Sequence, residues 1–165
     1  MQKLLLADAR QGSRKLNACV ARLLPAIVLF GVATAASAAT VAETASRWGL
    51  IGRWSLDCHI PPDHDRGAVL SYQITGRNKL VLHRDFGDSE DNAEVIAAEI
   101  SADNRLDLRI YFHELRQTRE LGLAKLPDGG IRAVYNRVRG GAYSIKDGRI
   151  TATGQPTPPQ FRCGD

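Results

Sequence analysis

A repeated alternation of apolar and polar residues, interrupted by short turns, is the feature that most constrains the fold. In the stretch RLDLRIYFH, residues 105–113, it places Leu106, Leu108, Ile110 and Phe112 on one side and polar residues on the other. A period of two is typical of a β-strand with one buried face. The pattern therefore predicts an all-β protein.

The same alternation recurs along most of the chain. Predicted strands begin near Arg53, Val69, Lys79, Ala93, Arg105, Arg119, Ile131, Ala142 and Arg149. Gly76-Arg77-Asn78, Asp103-Asn104, Pro127-Asp128-Gly129-Gly130 and Asp147-Gly148 separate neighbouring strands, and they contain residues that tolerate positive φ. We predict an antiparallel up-and-down meander of eight or nine strands, preceded by a short helical turn within residues 44–50.

One segment, NAEVIAAEIS at residues 92–101, fits two interpretations. Its Ala and Glu content suits a helix capped by Asp91 or Asn92. Its residues also alternate, and the tight turn before Arg105 favours a hairpin. We predict a strand, and a helix remains the alternative.

The first 38 residues have the layout of a secretory signal peptide. Five basic residues, the apolar run LLPAIVLFGVA at residues 23–33 and the small residues Ala36-Ser37-Ala38 follow one another. A membrane-spanning helix needs about 20 apolar residues, more than this run provides. We expect Sec export with cleavage after Ala38, which leaves residues 39–165 as a single periplasmic or secreted domain without a membrane span.

Removal of this leader changes the charge of the protein. Five of the 22 Lys and Arg residues and one of the 18 Asp and Glu residues lie in it, so 17 of each remain. The mature chain is therefore neutral, and the high isoelectric point gives no support to nucleic acid or an anionic membrane as a partner.

Two of the three cysteines remain after export, because Cys19 lies in the leader. In an oxidising compartment Cys58 and Cys163 are expected to form a disulfide. A loop of this length is stabilised by on the order of 4 to 5 kcal/mol in the chain-entropy account. Because Cys58 follows the first strand and Cys163 lies at the C-terminus, the bond would tie the two ends of the meander together. We therefore predict that the sheet closes into a barrel, which removes exposed strand edges.

Gly52-Arg53-Trp54 in the predicted first strand resembles the Gly-x-Trp motif of lipocalin-like (calycin) β-barrels. The resemblance implies that Trp54 plugs the closed end of a barrel and that Arg162 packs over its ring as a cation–π pair. The tail DGRITATGQPTPPQFRC is also similar to that of small exported proteins of Gram-negative bacteria, which implies no activity.

A barrel of this size holds either one small ligand or only its own side chains. The first case predicts a monomeric, non-catalytic protein without a cofactor that binds a small apolar ligand. Its cavity would be lined by Leu70, Tyr72, Leu80, Leu82, Leu108, Ile110 and Phe112. The second case predicts an interaction module of the cell envelope, resembling exported metalloprotease inhibitors, that acts through loops and the N-terminal stub ATVAETASRWG.

Three groups of side chains are weaker candidates for binding sites. Zinc or copper ligands, and with them a metal-dependent enzyme, are suggested by His59, Asp63, His64 and Asp65. A calcium-binding loop is suggested by Asp85, Asp88, Glu90, Asp91 and Glu94, although their spacing fits no standard motif. An anion site is suggested by Arg132, Arg137, Arg139 and Arg149. His113-Glu114 does not continue as a zinc-protease motif, because Gln117 stands where the second His is needed.

Overall fold

The computed structural model describes residues 39–65, 67–76 and 78–164. The predicted signal peptide and Cys19 lie outside the described residues. The described chain forms one helix, α1 (Val41–Trp48), and ten strands. The strands are β1 (Gly52–Ser55), β2 (Val69–Thr75), β3 (Lys79–Asp85), β4 (Glu90–Ile100), β5 (Leu106–Phe112), β6 (Gln117–Lys125), β7 (Ile131–Val138), β8 (Tyr143–Lys146), β9 (Arg149–Ile150) and β10 (Phe161–Cys163).

All ten strands belong to one antiparallel sheet in the order β10-β1-β2-β3-β4-β5-β6-β7-β8-β9. The predicted meander is confirmed from β1 to β9, since each strand pairs with its neighbour in the chain. The predicted strand count was too low, because β10 was not recognised. This strand has three residues and follows Pro158-Pro159. Its Phe161 is exposed, so no alternation marks the strand.

The sheet does not close strand to strand. Among the described residues β9 and β10 are the two ends of the ladder and do not pair with each other. Ile131 at the start of β7 and Gln160 beside β10 instead exchange two backbone hydrogen bonds, each 2.8 Å long. The prediction of a closed barrel is therefore not confirmed. The strand order ends at β9 and β10, and β8 and β9 are only four and two residues long.

Of the segment 92–101, all residues but Ser101 lie within β4, so the strand interpretation is confirmed and the helix is wrong. The pairing of β4 with β5 shifts register between Val95 and Ala97, which makes Ile96 the extra residue of a bulge. Ile96 is exposed, whereas Val95 is buried and Ile100 is partly buried against the core. The bulge explains why neither simple alternation fits the whole segment.

The predicted turns contain left-handed residues. Asn78, Asn104 and Asp147 have φ values of 61°, 61° and 51°, and Gly129 has a φ of 85°. Asn, Asp and Gly adopt this conformation at lower cost than other residues. These side chains therefore fix where each hairpin reverses.

Helix α1 begins earlier than predicted because Thr40 and Glu43 form a capping box. The backbone N–H of Glu43 donates to Thr40 Oγ1 at 3.2 Å, and that of Thr40 donates to Glu43 Oε2 at 2.8 Å. The helix buries Ala45 and Trp48 on the side that packs on β3 and β4. Trp48 Nε1 also donates to Asn104 O at 2.8 Å, which ties the helix to the β4–β5 turn.

One face of the sheet carries the core, and its part beneath α1 is densely filled. We call Ala45, Trp48, Leu50, Leu80 and Leu106 the packed end; each is at most 1% exposed. Burying a large apolar side chain stabilises a fold by about 1.5 to 3 kcal/mol. The packed end therefore supplies much of the driving force for folding.

The predicted disulfide is confirmed between Cys58 and Cys163, whose Cα atoms are 5.4 Å apart. Its position follows from β1–β10 pairing, which puts Arg53 opposite Cys163 and Ser55 opposite Phe161. The first and last strands of the sheet are therefore joined both by backbone pairing and by a covalent bond.

Candidate functional site

A cavity of about 280 Å³ lies on the core face of the sheet, away from α1. It reaches Arg84, at the far end of β3 from Leu80, and Phe112, at the far end of β5 from the turn that contacts Trp48. We call this region the cavity end. The same face of the same strands therefore is filled at one end and hollow at the other.

Five of the seven residues predicted to line a cavity border this one. They are Leu70, Tyr72, Leu82, Ile110 and Phe112. The other two, Leu80 and Leu108, are 0% and 1% exposed and belong to the solid part of the core. The alternation identified the inner face of each strand. It did not show at which position along the strand the packed core ends and the cavity begins.

The cover of the cavity comes from residues that the sequence did not indicate. Ile145 of β8 and Ile150 of β9 line it, as do Thr157, Pro158 and Gln160 of the segment 157–160. Thr157 anchors this segment, because its Oγ1 lies 2.6 Å from Ala133 O and 2.9 Å from Gly148 O. The segment lacks alternation, and its position depends on contacts with residues distant in sequence. A local sequence pattern could therefore not predict its role.

Two polar atoms in the cavity wall are buried without a hydrogen-bond partner among the described residues, Tyr72 Oη and Asn136 Oδ1. Burial raises the pKa of Tyr72, opposed in part by the charge of Arg84, so its hydroxyl is neutral. Leaving such groups unsatisfied costs about 1 to 3 kcal/mol each. The cavity therefore favours an occupant that forms hydrogen bonds at these two atoms.

Arg84 and Arg119 bring positive charge to the cavity wall, and the described residues that line it include no carboxylate. Arg84 is already neutralised by Asp91 on β4, to which it donates from Nε at 2.7 Å and from a second nitrogen. Its guanidinium also lies 4.5 Å from the centre of the Phe112 ring. The two arginines consequently differ in how much of their charge is already balanced.

Trp54 and Arg162, singled out by the lipocalin-like motif, lie opposite each other in the β1–β10 ladder. Trp54 is buried and donates from Nε1 to Leu50 O at 2.7 Å. The guanidinium of Arg162 lies over Gly52, where an added Cβ would be 3.1 Å from Nε. The other tryptophan, Trp48, does have a cation–π contact, because Lys125 Nζ lies 5.0 Å from the centre of its ring. The implied contact between Arg162 and Trp54 is not formed.

The candidate metal ligands in the β1–β2 loop are not gathered around one point. Asp63 Oδ1 accepts from the backbone of Asp65 at 2.7 Å, and the ring of His64 stacks on Phe86. His59 contributes a backbone N–H to Asp57. No group of three or more His, Cys, Asp or Glu side chains in the described parts of the chain is placed to hold a metal ion.

The acidic residues near the β3–β4 turn are also dispersed. Asp91 pairs with Arg84, Asp88 lies 3.1 Å from His64, and Glu90 lies 3.6 Å from His83. Asp85 accepts from the backbone of Gly87, and Glu94 pairs with Lys79 at 3.7 Å. Each carboxylate therefore has its own local partner rather than a shared centre.

The four late arginines lie in three different environments. Arg137 pairs with Glu120 at 2.6 Å, and Arg139 lies in the exposed turn after β7. Arg132 and Arg149 border the same shallow groove on the outer face, together with Asp147. The carboxylate of Asp147 in the same groove lowers its attraction for an anion.

The N-terminal stub proposed to insert into a partner is largely folded. Its residues 41–48 form α1, which buries Ala42, Thr44 and Trp48. Inserting the stub as an extended arm would expose these side chains and break the capping box at Thr40. The structure thus gives this segment a role in covering the core.

Comparisons with models of protein families, with curated proteins and with solved structures find no match for this chain. The likeness to lipocalin-like barrels thus remains a prediction from Gly52-Arg53-Trp54. No helix among the described residues has the length and apolar character needed to cross a bilayer. Functional inference therefore depends on the cavity.

Proposed function

We propose that this protein is an exported, non-catalytic binding module of the cell envelope that holds one small, mainly apolar molecule at the cavity end. The observation that carries the proposal is the cavity beside the packed end. Its walls are mainly apolar, and two polar atoms in them, Tyr72 Oη and Asn136 Oδ1, have no hydrogen-bond partner in the part of the chain that the structure describes. Small-molecule sites typically combine apolar walls with a few polar groups that orient the ligand.

The size of the cavity favours a small ligand. Its volume of about 280 Å³ is near the lower limit of small-molecule sites, which measure about 300 to 1,000 Å³. A filled interior, as in the interaction-module alternative, would leave no such space. The disulfide supports the proposed export, because such bonds persist in oxidising compartments.

The proposal includes a barrel-like enclosure that functions as a monomer. Two hydrogen bonds between Ile131 and Gln160 support it, because they connect β7 to the segment that continues into β10. Since β10 pairs with β1, this contact brings the late strands back towards the first one. The enclosure would thus be completed by one bridging residue rather than by a full strand.

The experiment is an NMR titration of the mature, disulfide-bonded protein with naphthalene and, separately, with 1-octanol. We expect at least one of them to bind with saturation and to shift the amide signals of Leu121 and Ala133 but not that of Ala45. Ala133→Leu should abolish binding by filling the cavity, whereas Ala102→Leu in the exposed β4–β5 turn should not. Absence of saturable binding by both compounds, and by the carboxylates octanoate and 2-naphthoate, would refute the proposal and indicate that the cavity holds only water.

A further inference from the structure

We infer that the cavity selects ligands with one anionic end and that Arg119 recognises this end, an inference that rests on the proposed function. Arg119 lies on β6 opposite Ile110, on the side of the sheet that faces the cavity. The ligand class is then an apolar body that carries a single carboxylate, rather than an uncharged hydrocarbon.

The first argument is charge balance. Arg119 forms no ion pair among the described residues, and its one hydrogen bond from Nε, to Gln117 Oε1, is 3.3 Å long. Arg84 is the other cation in the wall, and Asp91 holds it through two hydrogen bonds. A ligand anion would have to displace a carboxylate to reach Arg84, whereas Arg119 has donors to offer without such competition. A guanidinium binds a carboxylate through two parallel hydrogen bonds.

The second argument is position. Arg119 is partly buried, and its neighbours along the inner side of β6, Leu121 and Leu123, border the apolar part of the same cavity. An elongated molecule could therefore place its apolar body against these leucines and its charged end at the guanidinium. Partial burial strengthens such a contact relative to one in open water.

Two matched pairs of compounds test the inference. Octanoate and 1-octanol share a chain, and 2-naphthoate and 2-naphthamide share a ring system, so each pair differs mainly in charge. At neutral pH we expect the anion of a pair to bind the wild-type protein about tenfold or more tightly than its neutral analogue. Equal affinities, or tighter binding of the neutral compound in both pairs, would overturn the inference.

Variants assign the preference to one residue. Arg119→Gln should weaken binding of the anions about 10- to 100-fold and change the affinity of the neutral analogues little. Arg119→Lys should restore part of the preference. The matched control is Arg109→Gln, which removes an exposed arginine from the outer face of β5. If Arg119→Gln and Arg109→Gln weaken anion binding equally, the effect is one of net charge and Arg119 is not the recognition residue.

The outcomes separate this inference from the proposed function. Binding of neutral compounds without an anion preference refutes the role of Arg119 and leaves the binding function intact. Absence of all binding refutes both. Should Arg119→Gln fail to fold, as judged by its NMR spectrum, the wild-type comparison within each pair still decides whether the cavity selects anions.

Discussion

The packed end and the cavity end lie on one face of one sheet, yet only the first is filled. Leu80 and Leu82 illustrate the contrast, since both are buried on the inner side of β3 and only Leu82 borders the cavity. The difference comes from what covers each end. At the packed end, α1 packs the large ring of Trp48 against the sheet. At the cavity end, Ile145, Ile150 and the Pro-containing segment 157–160 line the space instead. A curved sheet alone does not fill its interior, and the covering elements decide where a hollow remains.

The largest expected effect is the loss of stability when the disulfide is removed, and we expect it to act mainly at the cavity end. Replacing Cys58 and Cys163 together by serine should lower the free energy of unfolding by about 2 to 5 kcal/mol. Segment 157–160 leads directly into β10, so amide hydrogen exchange should accelerate there before it does in α1. Urea denaturation and hydrogen exchange measure the two effects. Earlier loss of protection in α1 would show that the bond supports the packed end instead.

The next largest effect is the difference in stability loss between two leucine variants, one at the packed end and one at the cavity end. We expect Leu80→Ala to cost near the upper limit, and Leu82→Ala near the lower limit, of the range of about 2 to 5 kcal/mol for such changes. Leu82 already borders the cavity, so part of its surface faces empty space rather than packed atoms. The two variants share a strand, a face and a substitution, so each is the control for the other. Equal shifts in the urea midpoint would mean that the cavity end is as tightly packed as the other.

The smallest expected effect is a loss of stability of α1, at the packed end, as the pH falls. Hydrogen bonds from Thr40, its backbone N–H first, lower the pKa of Glu43 below its ordinary value of 4.5. The ionised carboxylate therefore stabilises α1 above that pH, and the contribution is lost as the pH falls through the lowered pKa. Melting temperatures between pH 6 and about pH 3 should fall less in Glu43→Gln than in the wild-type protein. Glu114→Gln, in the exposed β5–β6 turn, is the control and should retain the wild-type pH dependence.

Much of the sheet could be predicted because burial of one face imposes a period of two. Most strands from β2 to β7 were located by this pattern, and most of their turns contain Asn, Asp or Gly where a left-handed residue is needed. The β5–β6 turn is the exception, because Arg116 has the left-handed conformation there. β4 was harder because the bulge at Ile96 moves the buried side from one set of positions to the other. β10 could not be found, since a strand of three residues, two exposed and one partly buried, has no period.

The candidate site was predicted only in part for a related reason. Alternation identifies apolar residues on the inner face, so it found Tyr72 and Ile110. It drew no attention to Arg119 or Asn136, because a polar residue within a strand is ordinarily assigned to solvent. The register of β6 places Arg119 opposite the buried Ile110, and only the assembled sheet shows this. The cover from segment 157–160 depends in the same way on contacts distant in sequence.

The bond between Cys58 and Cys163 encloses a sequence separation of 105 residues, which includes β2 to β9 and every loop between them. Cleavage of any single peptide bond inside this ring leaves both fragments attached to each other. A protease that nicks an exposed loop would therefore release nothing, and the two fragments would stay at high effective concentration for the sheet to reassemble.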